Sequence, residues 1–209
     1  MYKRILIAAI PILAALVLTA CSKGPEKAEA KEPVVKEVSR PPEPVAARSA
    51  FFEMYKPARA WAPDLFPLSL TSGEIPGIKN EGGKAAQWTA VFVSPSRRQA
   101  RTLVYSVADH GASIHKGVFI GGAEPWSGPT PKSKPFQVTE FMINSDQAYE
   151  AAMAKAGPWV KKHPDKKLTL FLANASKHPG PLWYLLWGDT KSGYMTHVNA
   201  TTGTLVSIM

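Results

Sequence analysis

Residues that commonly perform catalysis or bind metals are scattered along this 209-residue chain and form no known motif. The five histidines show neither an i,i+4 pair nor an HExxH zinc motif. Ser94-Pro95-Ser96 lacks the GxSxG setting of a nucleophile elbow, and Gly82-Gly83-Lys84 matches only the end of a phosphate-binding loop. We therefore expect a protein that is not an enzyme, with no catalytic residue, metal site or cofactor. The remaining catalytic alternative is a hydrolase whose site follows no known motif.

Cys21 is the only cysteine, so the chain cannot form an intramolecular disulfide. It follows a short basic region (Lys3 and Arg4), an apolar run from residue 5 to about 18, and small residues. This order is typical of a secretory signal peptide. The run is shorter than the roughly 20 residues that a membrane-spanning helix needs. We therefore predict a signal peptide over residues 1–20.

Leu18-Thr19-Ala20-Cys21 resembles the lipobox of bacterial lipoproteins. The resemblance implies that Cys21 receives a diacylglycerol thioether and that its new amino group is acylated, so membrane lipid would be its first partner. Ser22 follows, and in Gram-negative lipoproteins the absence of Asp at this place implies an outer-membrane anchor facing the periplasm. The alternative is an ordinary buried cysteine that ends a core helix.

Residues 22–49 have the composition of a spacer, with five prolines, six Lys or Arg, five Glu and no aromatic residue. Such a segment buries too little apolar surface to offset the entropy lost on ordering. The near balance of charge favours a solvated spacer over a basic membrane-binding patch. We therefore predict a lipidated cysteine and a disordered tether over residues 21–49, with a reach of roughly 30 Å as a flexible coil.

The remaining residues, 50–209, contain all six tryptophans and show an internal similarity. Ala50 is followed by Trp61 at the same spacing that separates Ala148 from Trp159. Chance similarity is the alternative, but a repeat would predict two related structural units.

The match continues downstream, where Trp88 opens the run WTAVFVS and Trp183 opens the run WYLLWGD. Asp64 and Asp165 also correspond, each after a proline. A carboxylate pair is one reading of these aspartates, but the Pro-Asp setting is more typical of turns.

Hydrophobic periodicity predicts that each unit is one helix followed by an antiparallel meander. The first helix is expected over residues 49–55, ending near Pro57, and the second from residue 145 until Gly157-Pro158 interrupts it. Strands are expected near residues 66–70, 87–94, 101–108, 116–120, 167–173, 183–187, 193–198 and 204–208, and loops over 72–84 and 121–136. The fold class is therefore α+β, with the two sheets packed together or joined edge to edge.

Residues 193–205, which read GYMTHVNATTGTL, resemble the closing hairpin of PepSY domains. Asn199 stands where that family commonly has an acidic residue, and Gly203 suits the turn because glycine tolerates positive φ. The resemblance implies two PepSY/cystatin-like units, at residues 50–137 and 138–209. It also implies an extracytoplasmic inhibitor or accessory binding module rather than an enzyme.

The region after the tether is basic, with 17 Lys or Arg against 11 Asp or Glu, a balance of +6. Arg97, Arg98 and Arg101 cluster at a predicted turn, and four lysines of residues 161–167 flank His163-Pro164-Asp165. An extracytoplasmic address argues against nucleic acid and favours anionic lipid, lipopolysaccharide or an acidic protein as partner. A generally solvated basic surface is the alternative.

Trp126 differs from the repeated tryptophans because its loop, residues 123–129, has no counterpart in the second unit. An aromatic residue on a Pro/Gly-stiffened loop suits binding, whereas packing over a sheet edge is the alternative. We therefore expect a binding surface of Arg97, Arg98, Arg101 and Trp126, all pointing out of the sheet, that recognises an envelope protein, with peptidases among the candidates.

The alternative function is a carrier of an anionic lipid or small ligand in a cleft between the two units. A filled core would favour protein binding, and an apolar pocket of several hundred Å³ would favour the carrier.

Overall fold

The computed structural model describes residues 41–175 and 178–207. The predicted signal peptide, Cys21 and residues 22–40 of the predicted tether lie outside the described residues. Val45 already pairs with Ala85, so ordered structure begins within the range expected as tether.

Two helices and eight strands make up the described chain, which confirms the α+β class. The helices are α1 (Ala47–Trp61) and α2 (Ser145–Lys162). The strands are β1 (Phe66–Gly73), β2 (Gln87–Ser94), β3 (Gln99–Ser106), β4 (Gly117–Pro125), β5 (Leu168–Ala173), β6 (Leu182–Trp187), β7 (Tyr194–Asn199) and β8 (Leu205–Val206). A 3-10 turn, Val138–Glu140, precedes α2.

Both helices continue past the prolines that were expected to end them, so the predicted helix ends are wrong. A proline inside a helix costs about 3 kcal/mol because it removes an amide donor and crowds the preceding turn. In α1, Ala58 follows Pro57 directly and is buried in the core. In α2, Trp159 follows Pro158 and packs against the same core. Burial of the residues beyond each proline therefore offsets the cost.

All eight strands belong to one antiparallel sheet with the order β4-β3-β2-β1-β5-β6-β7-β8. The strands of the two predicted units meet where β1 pairs with β5. This pairing is short, because only Ser69, Leu70 and Thr71 of β1 face residues of β5. Beyond Thr71 the two strands lose their pairing, although each continues beside its other neighbour.

Every second side chain along the central strands faces the helices, and these side chains pack with those of the helices in the main hydrophobic core. Its fully buried large side chains include Trp88, Trp183, Phe51, Phe92, Phe141 and Met54. Each such side chain contributes about 1.5–3 kcal/mol when it leaves water. The opposite face of the sheet carries partly exposed residues such as Phe171, Tyr184 and His197.

The two halves of the chain repeat the same element order, a helix followed by four strands. Trp88 is the second residue of β2, and its indole Nε1 donates to the Val45 carbonyl at 3.0 Å. Trp183 is the second residue of β6, and its Nε1 donates to the Ile143 carbonyl at 2.9 Å. Each accepting carbonyl stands two residues before the helix of its own half.

The first turns of the helices also contact each other. The Ala47 N–H donates to Ser145 Oγ at 2.8 Å, and the Arg48 N–H donates to Asn144 Oδ1 at 2.9 Å. Two of the free amides at the start of α1 are therefore satisfied by side chains at the start of α2.

Strand predictions were accurate where apolar alternation was clear, as in β2, which spans residues 87–94 as expected. The predicted loop 121–136 is wrong over its first five residues, because β4 extends to Pro125. Pairing with β3 carries the strand through Gly121-Gly122, where the register shifts between Arg101 and Leu103 of the partner. A β-bulge accommodates this shift. The hydrophobic periodicity of the sequence does not reveal the bulge.

Candidate functional site

Trp126 lies directly after β4 and is held against the turn between β2 and β3. Its backbone N–H donates to the Arg98 carbonyl at 2.9 Å, which continues the pairing of Gln99 with Pro125. The Trp126 side chain is half-buried. The loop that was expected to present this residue is therefore attached to the sheet at its first position.

Arg98 ends the turn between β2 and β3 with a φ of 51°, the left-handed conformation that few residues other than glycine adopt. Asp64 holds this turn, because its carboxylate accepts from Ser94 Oγ at 2.7 Å and from the Ser96 N–H at 2.9 Å. These hydrogen bonds lower the pKa of Asp64 to about 2. Asp64 is thus a turn-fixing carboxylate, which agrees with the turn reading of its Pro-Asp setting.

Arg98 and Trp126 line one cavity of about 700 Å³. Its other walls are mostly aromatic residues, prolines and small polar groups, among them Phe66, Pro95, Pro129, Pro135, Phe136 and Asn174. Glu140 lies in the wall too, and its Oε2 accepts from the Gln137 N–H at 2.6 Å. Arg98 is therefore the one cationic side chain among the described lining residues.

Asn174, in the wall of this cavity, carries a polar atom without a described hydrogen-bond partner. Its Oδ1 is buried and has no hydrogen-bond partner within residues 41–175 and 178–207. A buried acceptor without a partner costs about 1–3 kcal/mol.

The remaining two arginines lie elsewhere. Arg97 is exposed on the turn, and its backbone N–H donates to Ser94 Oγ at 3.3 Å. Arg101 is half-buried on the helix side of β3, with its guanidinium 4.9 Å from the centre of the Trp61 ring. Arg101 faces α1 because it stands two residues from the buried Leu103, and such residues share a face of the strand.

A second, larger cavity of about 1130 Å³ was missed by sequence reasoning. It lies between residues 74–84, which connect β1 to β2, and the C-terminal part of α2. Three of the lysines noted in residues 161–167 line it. The chain therefore combines a densely buried core with a large cavity that apolar and charged residues both line, so cavity volume does not separate protein binding from ligand carriage.

No group of three or more His, Cys, Asp or Glu residues suited to a metal ion occurs in the part of the chain that the structure describes. His163 stacks on Trp159 with ring centres 4.1 Å apart. Burial, with a smaller effect of Lys155, lowers the pKa of His197.

Within the described ranges, neither helix is long and apolar enough to cross a membrane.

Comparison with known proteins gives one structural likeness. No protein-family model matches the chain, and no curated protein matches it. A crystal structure of a putative lipoprotein from Clostridium difficile 630 is similar with a TM-score of 0.49 and 11% identity, covering 82% of this chain and 95% of that one. The PepSY resemblance stays a prediction.

Proposed function

We propose that this protein is a non-enzymatic binding module of the cell envelope that recognises a partner protein at the Arg98–Trp126 cavity. The observation that supports it is the joining of these two residues in one cavity of about 700 Å³. They lie on different loops and come together only through the pairing of β3 with β4.

The lining of the cavity suits an extended protein segment. Half-buried aromatic rings and prolines offer apolar contact at little entropic cost, because these side chains have few rotamers to lose. Arg98 adds a planar cationic group that binds a carboxylate with two parallel hydrogen bonds. The proposed partner segment therefore carries an apolar side chain for Trp126 and an acidic side chain for Arg98.

For the localisation, we propose that a lipid anchor at Cys21 holds the protein in the outer membrane, facing the periplasm if the cell is Gram-negative. The lipobox resemblance supports this address, and the composition of residues 22–40 supports a spacer between anchor and domain. Because one acyl chain binds membranes only reversibly, the two or three chains of a lipoprotein cysteine would supply lasting attachment.

The proposed architecture is a pair of related PepSY-like units that share one sheet. The equivalent indole hydrogen bonds of Trp88 and Trp183 support this. Trp61 and Trp159 support it too, since each stands fifteenth in its helix, counted from Ala47 and Ser145. A module of this kind would act by occupying its partner, and a peptidase is one candidate for that partner.

The experiment is capture of the envelope partner by the anchored protein, followed by measurement of its dissociation rate. We expect Trp126→Ala to speed dissociation with little change in salt dependence, because the ring supplies contact area. Arg98→Ala should weaken capture and flatten the salt dependence, because it removes the charge that attracts an acidic segment.

Arg101→Ala and Arg97→Ala are the matched controls. Each removes the same charge, but Arg101 lies over Trp61 and Arg97 does not line the cavity. Both variants should capture the partner as the wild type does. If the Arg98 variant and its two controls behave alike, the cavity is not the recognition site.

A further inference from the structure

The larger cleft forms where two neighbouring strands separate. Beyond the pair Thr71–Phe171, β1 and β5 no longer exchange ladder hydrogen bonds, and the Leu170 N–H instead donates to Ser72 Oγ at 2.9 Å. Leu170 and Trp187 line the resulting cleft and are almost fully buried. The opening is therefore built into the pairing of the central strands.

Part of the wall of this cleft is apolar, and its apolar residues come from distant parts of the sequence. Ile75 and Ile78 belong to the connection between β1 and β2, whereas Tyr149 and Val160 belong to α2. Ile78, Tyr149 and Val160 are half-buried, so they present apolar surface to the cleft.

A tight contact at Gly83 fixes the connection in place. Gly83 has a φ of 78°, and a Cβ added to it would lie 2.4 Å from the Ser145 carbonyl oxygen. The backbone of the connection thus touches the start of α2 directly, and the two walls are held at a set distance.

Lysines line the rim of the cleft. Lys79, Lys84, Lys161, Lys166 and Lys167 face three acidic residues, Glu74, Glu81 and Asp165. Lys167 is paired with Glu74, and Lys79 is paired with Glu81.

Two of the rim lysines are free to meet a ligand. Lys84 and Lys161 are exposed and form no ion pair among the described residues, whereas Lys166, also without an ion pair there, is half-buried. They come from opposite walls, the β1–β2 connection and the last turn of α2. An anion at the mouth of the cleft would therefore be approached from both sides.

We propose that this cleft binds an amphiphile with one anionic head group and an apolar tail. The volume of about 1130 Å³ suits a ligand somewhat larger than a drug-sized molecule. The apolar walls would cover the tail, and Lys84 and Lys161 would bind the head group at the rim. Neither feature alone would hold such a ligand, since exposed ion pairs contribute little.

The test uses the full chain in phosphatidylcholine nanodiscs, with empty nanodiscs as background, and measures binding by titration calorimetry. Decyl phosphate, inorganic phosphate and decanol are the three probes. We expect one saturable site for decyl phosphate and binding at least about tenfold weaker for the other two, because each offers only half of the recognised chemistry.

Paired variants locate the site. Lys84→Ala with Lys161→Ala should weaken decyl phosphate binding about fivefold, the combined effect of two exposed ionic contacts. Lys132→Ala with Lys191→Ala removes the same charge from exposed positions outside the cleft and should leave binding unchanged. Ile78→Ser should weaken decyl phosphate binding without changing that of inorganic phosphate. Equal melting temperatures would show that all the variants are folded.

Three results would overturn the proposal: equal affinity for inorganic phosphate, equal affinity for decanol, or no saturable binding of decyl phosphate. The first would indicate a simple anion site, and the second a purely apolar groove. The described cleft shares no lining residue with the Arg98–Trp126 cavity, so failure here leaves the proposed protein-binding function standing.

Discussion

Trp88 and Trp183 meet edge to face in the core, with ring centres 6.3 Å apart and ring planes at 70°. Each indole donates to a backbone carbonyl just ahead of one helix, Val45 for Trp88 and Ile143 for Trp183. The pair therefore links the two halves of the sheet to each other and holds the segment before each helix against the core.

The tryptophan pair predicts matched losses of stability. Trp88→Phe and Trp183→Phe should each lower the free energy of unfolding by roughly 2–3 kcal/mol, because each loses a hydrogen bond and some packing volume. The double variant should lose less than the sum, since the two rings touch. Urea unfolding measures this, with Tyr184→Phe on the open sheet face expected to cost less than about 0.5 kcal/mol. A negligible loss for either tryptophan would contradict the linking role.

The hydrogen bonds between the starts of the two helices predict that removing the Ser145 hydroxyl lowers the stability of the protein. Ser145→Ala takes away the acceptor of the buried Ala47 N–H and should lower the free energy of unfolding by about 1–3 kcal/mol. Ser49→Ala is the control, because Ser49 is exposed in α1 and its side chain has no described hydrogen bond. Equal stabilities of the two variants would show that the Ala47 amide finds another partner.

Substitutions at two neighbouring glycines distinguish the cost of backbone strain from the cost of steric contact. Gly82 and Gly83 have φ angles of 58° and 78°, but a Cβ on Gly82 meets nothing within 4 Å. Gly82→Ala should cost about 1–2 kcal/mol from the left-handed conformation alone. Gly83→Ala should cost at least about 1 kcal/mol more, because the backbone must move away from Ser145.

Hydrogen exchange measures the same displacement. Amides of residues 74–84 should exchange faster in Gly83→Ala than in Gly82→Ala. Identical exchange would mean that the connection is not held against α2.

The hydrogen bonds to Asp64 predict a pH dependence in acid. Its folded-state pKa, about 2, is below its usual value of 3.8, so the unfolded chain binds the proton more readily. The stability that Asp64 contributes is fully present above pH 3.8 and is lost as the pH falls through about 2. Asp64→Asn should flatten the pH dependence of unfolding between these values, and Ser94→Ala should flatten it partly. An unchanged slope in Asp64→Asn would rule out this role.

The sequence predicted secondary structure well where one hydrophobic period was clear. It predicted less well where contacts between distant residues determine the end of an element. The alternation of residues 87–94 predicts β2 because one face of that strand is buried against the helices. The ends of α1 could not be predicted from Pro57, because the burial of Ala58 depends on strands far along the chain.

The residues of the candidate site were predicted, but their arrangement was not, because it also depends on contacts between distant residues. Trp126 and Arg98 could be chosen from residue type and loop setting, but their meeting depends on the register of β3 and β4. Arg101 lies close to Arg98 in sequence, yet strand alternation turns it towards Trp61. The lysine-rimmed cleft depends on the separation of β1 from β5, which neither strand's own pattern encodes.

Site-specific cross-linking in the native envelope tests the proposed recognition site most directly. A photoreactive amino acid at Ser127, which lines the Arg98–Trp126 cavity, should cross-link to one envelope protein. The same amino acid at Thr190, exposed in the turn between β6 and β7, is the control and should give no such product. The account predicts that the Ser127 product disappears when Arg98→Ala and Trp126→Ala are combined. A product of equal yield from both positions, or one that persists in the double variant, would contradict it.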